Sequence, residues 1–284
     1  MKIIFSRKGF DSSSGGFPSL IFPDGTLFSI PIPSKDNEYK YKDLEYKYEN
    51  ESIQSILNDL TNKQINSGKK RECDYTDEKF HCHYDPMPIS NQDFQGIAFG
   101  QQNNTEGHLR NQNIAEDDIF VFYGWFKNIE KIKNKWVYVE KSKDIHLIWS
   151  YLKVGRINHL DNIYEKEKVV KDYPFLSVHP HIEASNKYTK NTIYLSKEFN
   201  FFKYSEKRCL TDLKTYKCRS TWRLPIYFNY PDAFTFLKNF RSYDESDVII
   251  NYQGFGQEFV LDLEKVKSKN AKNAILKYIK IILK

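Results

Sequence analysis

The segment His81-Cys82-His83-Tyr84-Asp85-Pro86 is the densest cluster of functional side chains in the 284-residue sequence. Side chains alternate along an extended chain, so His81, His83 and Asp85 share a face there. Two imidazoles beside a carboxylate suit an oriented acid–base pair or a metal site. The competing reading is a turn begun by Asp85-Pro86, with the histidines bonded to nearby backbone. A further pair, His179-Pro180-His181, is held out of a helix by Pro180, and its two rings can lie on one side.

Four other stretches carry polar groups suited to a ligand. Ser6-Arg7-Lys8-Gly9-Phe10-Asp11 runs into Ser12-Ser13-Ser14-Gly15-Gly16 directly after the apolar Lys2–Phe5 strand. A glycine-flanked loop lets backbone N–H groups approach an anion, and the Arg7 guanidinium matches a phosphate; a solvated turn is the plainer reading. Gly100-Gln101-Gln102-Asn103-Asn104, with His108 and Asn113 beyond, is rich in amides, which pair a donor with an acceptor as a base edge does. Ser220-Thr221-Trp222-Arg223 places hydroxyls and a guanidinium beside an indole. In Gly256-Gln257-Glu258-Phe259 a carboxylate stands at a loop-to-strand junction, as a functional acid or an edge charge.

No Walker loop, dinucleotide fingerprint, nucleophile elbow or HExxH helix is present. Cys73, Cys82, Cys209 and Cys218 form no Cys-x-x-Cys, and Cys82 with His81 or His83 matches no standard closed zinc site. The expectation is four free thiols and no metal, with the cofactor open. The net charge of +6 permits a polyanionic partner without requiring one. No apolar run approaches the roughly 18–20 residues of a membrane span, and no cleavable signal precedes the first strand, so a cytoplasmic location without membrane contact is expected.

These groups need a scaffold, and the pattern is strand-rich. Phe17–Phe22 and Thr26–Pro33 read as strands around a Pro23-Asp24-Gly25 turn. Asp118–Phe126, its hairpin partner Trp136–Val139 and a third strand bent near its middle, Ile145–Ile157, suggest an antiparallel meander. Thr192–Leu195 and Glu258–Leu263 add strands. Helices are expected over Ser52–Leu60, after Pro231 with Phe234, Leu237 and Phe240 on one face, and over Ala271–Leu283. The expectation is a single α+β domain over 1–284, with a large, mainly antiparallel (mixed) sheet, a few flanking helices and a basic helix within 264–284.

Taken jointly and in order, the strings resemble one family. They are Ile4-Phe5-Ser6-Arg7-Lys8-Gly9-Phe10-Asp11, Ile21-Phe22-Pro23-Asp24-Gly25-Thr26-Leu27, Ile30-Pro31-Ile32-Pro33, His83-x-Asp85-Pro86, Phe99-Gly100-Gln101, His108-Leu109, Phe122-Tyr123-Gly124-Trp125-Phe126, His179-Pro180-His181, Ser220-x-Trp222-x-Leu224-Pro225 and Gly256-Gln257-Glu258-Phe259-Val260. The sequence is similar to the third of the nucleotide-modification-associated domain families, found in bacteria and phages. Ser150 stands where the resemblance leads one to expect Gly. The resemblance implies a domain working in DNA or nucleotide modification, with DNA or a nucleotide as partner. It raises the functional readings of Arg7, Asp11, His83, Asp85, Gln101 and Glu258, and one shared pocket is the economical arrangement.

The expected function is therefore a DNA base- or nucleotide-modifying enzyme, glycosyl or other group transfer being one form of it. Asp11, His83, Asp85 and Glu258 would supply acid–base chemistry, while Arg7, Ser14, Gly15, Gly16, Gln101, Asn113, His179, His181, Ser220 and Gln257 would hold substrate. The alternative is a non-catalytic module that recognises modified bases. From Leu261 to Lys284 seven Lys face Asp262 and Glu264, a net charge of +5. If the substrate is polymeric DNA, this segment adds non-specific phosphate attraction, and affinity falls steeply with salt. A flat salt dependence in a DNA titration would remove the polymer reading.

Overall fold

In a computed structural model, residues 1–35, 37–183, 190–251 and 258–284 are described below. The domain is α+β and is built on a ten-stranded mixed sheet. Its strands in chain order are β1 (Lys2–Arg7), β2 (Ser19–Ile21), β3 (Leu27–Phe28), β4 (Met87–Ser90), β5 (Gln95–Gln102), β6 (Ile119–Ile132), β7 (Lys135–Tyr138), β8 (Ile145–His159), β9 (Asn191–Phe201) and β10 (Phe259–Asp262). The lateral order is β4-β5-β9-β8-β6-β1-β10, with β7 and β2 on the far end of β6 and β3 on β2. All pairings are antiparallel except β1 and β2 with β6.

Alternation sorts the two faces. Ile3 and Phe5 of β1, Val121 and Tyr123 of β6, and Phe259 and Leu261 of β10 are buried on one side with Trp222. Ile4, Phe120, Phe122, Val260 and Phe99 are buried on the other. The strands are thus covered on both faces and read as continuous apolar runs. A β-bulge shifts the β6–β8 register between Phe122 and Tyr123, and two more interrupt β8–β9 between Lys153 and Arg156. These irregularities are the bend expected in the third strand. Ser150 is fully buried opposite Phe122.

The helices follow local signals where packing agrees. Helix α1 (Ile53–Thr61) starts after Ser52, whose hydroxyl accepts from Ser55 N at 3.3 Å, and buries Ile53, Ile56, Leu57 and Leu60. Helix α2 (Asn103–Asn111) continues from β5, and α3 (Ile163–Asp172) begins at Asn162, whose Oδ1 accepts from Glu165 N at 3.0 Å. Helix α4 (Pro180–Glu183) is one turn, and α5 (Lys269–Ile282) is capped by Ser268. Ile275, Ile279 and Ile282 seat α5 on the Trp222 face. Each contributes about 1.5–3 kcal/mol by burial, more than propensity differences of about 0.7 kcal/mol per residue. No helix among the described residues is long and apolar enough to cross a membrane.

Two expectations give way. The segment after Pro231 makes only a 3₁₀ turn, Pro231–Ala233, and then leaves the helix at Phe234. Thr235 N donates to Val260 O at 3.0 Å and Val260 N donates to the Thr235 hydroxyl at 2.9 Å, so β10 claims the segment. Phe234 and Leu237 are still buried, but from non-helical chain; tertiary pairing outbids a short helix that cannot stabilise itself. Pro180, expected to keep its histidines out of a helix, instead opens α4, where its missing N–H costs nothing.

The Thr221–Pro225 strand is tied in by a partly buried ion-pair network. Arg223 donates through Nε and Nη2 to Asp212 at 2.8 and 3.2 Å, and through Nη1 to Asp247 at 3.0 Å. Burial alone would raise the 1 %-exposed Asp212 carboxyl, but the bonds from Arg223 and Thr215 win and lower it from 3.8 to about 2. A carboxylate depressed in the folded state stabilises above its unfolded pKa, and that stability is lost as pH falls through the folded value. The shift corresponds to about 2 kcal/mol. The stability gap between wild type and Asp212→Asn is therefore expected to be constant above about pH 5 and to shrink by about 2 kcal/mol towards pH 2. Urea midpoints across that range measure it; a gap independent of pH would show that the network is not holding the carboxylate ionised.

Candidate active site

The glycine-serine loop is held largely by its own carboxylate. Asp11 Oδ1 accepts from Ser13 N, Ser13 Oγ and Ser14 N at 2.8, 2.7 and 2.7 Å, and Oδ2 pairs with Arg7 at 3.1 Å. Gly15 has φ +91°, and the Phe10 ring fills the space of its missing Cβ. Gly16 N donates to Asp11 O at 2.8 Å, and Ser12 receives a bond from Arg219. The N–H groups of Ser13, Ser14 and Gly16 thus have partners inside the loop.

Alternation along β1 sends the neighbouring Lys8 to the opposite face, with Ile4 and Ser6. There Lys8 Nζ lies 4.4 Å above the Phe99 ring and 3.3 Å from Glu258 Oε1, which also accepts from Gln101 Nε2. Glu258 is 2 % exposed, and its Oε2 has no partner among the described residues. Gln101 is therefore occupied by a carboxylate rather than presented outward. Lys8 is the member that sequence reasoning missed; its place two residues beyond Ser6 was the signal.

Next to Gln101, the Gly100 N–H donates to Asp85 Oδ1 at 2.9 Å. The β4–β5 register pairs Met87 with Ala98, so Asp85 falls opposite Gly100, and its side chain takes over the ladder position. Three imidazoles surround this buried carboxylate. His179 Nε2 is 3.5 Å from Oδ1, while His181 and His83 Nε2 lie 3.7 and 3.8 Å from Oδ2.

The bonding around the rings defines their protons. Asn191 Nδ2 donates to His181 O at 2.7 Å, which turns Oδ1 towards His181 Nδ1 at 2.8 Å. Asn37 Nδ2 donates to Pro180 O at 3.3 Å, turning its Oδ1 towards His83 Nδ1 at 2.9 Å. Both rings therefore carry hydrogen on Nδ1. His179 is the reverse: its Nδ1 accepts from His181 N at 3.2 Å, so its Nε2–H aims at Asp85. Burial alone would raise the Asp85 carboxyl, but the imidazoles around it, His179 foremost, hold it well below the usual range. Burial pushes His181 down to about 3.

Other expected positions lie apart from these groups. His81 shares the His83 face but donates to Asn37 O at 2.7 Å, and the Cys82 thiol between them is buried. Asn113 lines a separate cleft with His159 and Tyr194, and Ser220 lies beside Cys218 Sγ at 3.3 Å. Gln257 lies outside the described residues. The four cysteines are unpaired. Sequence reasoning also missed Glu106, fully buried, which accepts from Arg110 at 2.9 Å, Thr192 at 2.6 Å and Tyr194 at 3.0 Å and pins α2 to β9. The Glu106/Arg110 spacing of four was the available sign.

A cavity of about 460 Å³ adjoins the carboxylate, with Asp85, Tyr84, Gly9, Phe28, Tyr46 and Trp149 in its wall. An aromatic cavity with a few convergent polar groups has the character of a small-molecule site. The chain belongs to the family described as nucleotide modification associated domain 3, whose model matches residues 2–262. No curated protein and no solved structure matches it.

The Phe99-Gly100-Gln101 glycine has a steric reason. A Cβ on Gly100 would sit 2.2 Å from His181 Cδ2 and 2.3 Å from Cγ, so the ring can lie on the strand only over glycine. Gly100→Ala is expected to cost about 1–3 kcal/mol by overpacking and to displace His181. Chemical denaturation together with the His181 imidazole NMR signals checks both. Unchanged stability and signals would mean that the ring is not packed on Gly100.

Proposed function

We propose that this protein is an enzyme that modifies a nucleobase or nucleotide, free or within DNA. The observation that carries the reading is the buried Asp85 carboxylate, ringed by three imidazoles in the wall of an aromatic cavity, in a chain of this family. The aromatic walls suit a planar base, whose faces stack at about 1–3 kcal/mol per base. Gly9 and Asp85 both line the cavity, and their chain links lead to Lys8 and, across one ladder step, to Gln101.

In this reading the two clusters divide the work. Gln101 and Lys8 hold Oε1 of Glu258, leaving Oε2 to accept a proton from the substrate. Lys8, 13 % exposed, balances that carboxylate and offers a cation to charge developing on the substrate. A second reading, recognition of a modified base without chemistry, draws on the same aromatic lining.

Glu258→Gln keeps a partner for Gln101 and removes the proton acceptor. It is expected to lower formation of the modified nucleoside by about 10²–10⁴-fold while leaving ligand affinity within about threefold, because only transition-state interactions are lost. Mass spectrometry of nucleosides and nucleotides from cells expressing each form measures the first, and calorimetry with the modified compound the second. No new nucleoside with wild-type protein, alongside tight binding of a modified base, would favour recognition over catalysis.

A further inference from the structure

Asp85, His83 and His181 present an unusual local balance. Asp85 Oδ1 receives the Gly100 N–H at 2.9 Å and faces the His179 Nε2–H at 3.5 Å. Oδ2 faces only Nε2 atoms at 3.7 and 3.8 Å, both from rings whose Nδ1–H is committed to an asparagine oxygen. In a neutral ring so fixed, Nε2 carries a lone pair. Two lone pairs therefore point at a buried anionic oxygen, an arrangement that repels unless a cation stands between them.

We infer that His83 Nε2, His181 Nε2 and Asp85 Oδ2 form a binding site for one divalent transition-metal ion. These three donor atoms lie within 4.8 Å of one another. An ion bonded at about 2.0–2.2 Å holds tetrahedral donors roughly 3.3–3.6 Å apart, close to the separations of Oδ2 from the two rings. Imidazole and carboxylate together select a first-row ion such as manganese, iron, cobalt, nickel or zinc, whereas calcium and magnesium take oxygen sets.

The surroundings match what such ions require. Asn37 and Asn191 hold the outer nitrogens of both rings, while Gly100 and His179 support the outer oxygen of the carboxylate. Two histidines and one carboxylate leave coordination positions open. His83 is 22 % exposed at its side chain, which leaves a route for the ion and for a water or substrate oxygen. The sequence expectation of no metal had weighed Cys82 with its flanking histidines. Cys82 is buried on the other side of its strand from His81 and His83, and the proposed set draws on no thiol.

The site stands independently of the nucleotide reading, because metal binding is measured without substrate. Full-length protein purified without chelator is assayed by elemental analysis, then stripped and titrated with Co²⁺, followed by the visible spectrum and calorimetry. About one ion per chain is expected. His83→Gln should weaken Co²⁺ binding at least tenfold with unchanged circular dichroism, and His81→Gln should leave it unaltered. Asn37→Ala should weaken it by about 10–100-fold through loss of ring orientation. Asp85→Asn repeats the test where it folds; His83→Gln, partly exposed, carries it otherwise. Less than about a tenth of an ion per chain after Co²⁺ loading, or equal Co²⁺ affinity in the His83 and His81 variants, would overturn the site.

Discussion

An ionised carboxylate buried between a sheet edge and a one-turn helix has to be compensated, and much of the local structure around Asp85 does that. Burying such a charge without partners costs several kcal/mol even after relaxation. Here an N–H of the strand bonds one oxygen and a histidine N–H faces it, while two further imidazoles are packed beside the other. β5 supplies Gly100, the His81–His83 strand supplies His83, and the turn into α4 supplies His179 and His181. Asn37 and Asn191 then fix the rings from outside. Removing any one support leaves a polar group without its partner in a region of low dielectric, so these segments depend on one another.

The same logic separates this cluster from its neighbour. Lys8 and Glu258 compensate each other on the face that carries Phe99, and Gln101 completes that pair. The two buried carboxylates therefore have separate partners, Gly100 N–H for Asp85 and Lys8 with Gln101 for Glu258. Opposite environments for neighbouring acids are the usual way one pocket holds two distinct chemical roles.

The sheet was legible because its strands are long, aromatic and β-branched, as in Ile119–Ile132 and Ile145–His159. The capped helices after Ser52 and Ser268 were legible for the same reason, local and global preferences agreeing. The segment after Pro231 was not, since pairing with β10 lies in tertiary structure. His83 and Asp85 could be placed on one face from their spacing, and His179 and His181 stood out as a pair. That the two sets converge is set by a chain separation of about a hundred residues, which periodicity cannot report. Asn37 and Asn191 carried no local mark, because a buried amide that orients a ring has the same sequence appearance as one in a loop. Asp11 is ambiguous in a different way: turn-forming bonds and a ligand-binding role call for the same residue types.

Helix α5 and the Lys8–Gln101–Glu258 group lie on opposite faces of the central sheet, one against Trp222 and the other with Phe99. The strands between them form a partition about one sheet layer thick. A polyanion lying along the lysines of α5 would have to pass around an edge of that partition to bring a base to Glu258. The stretch of chain matched by the family ends at residue 262, before α5 begins. Changing the charge on the outer side of this helix therefore disturbs no described contact of the buried carboxylates.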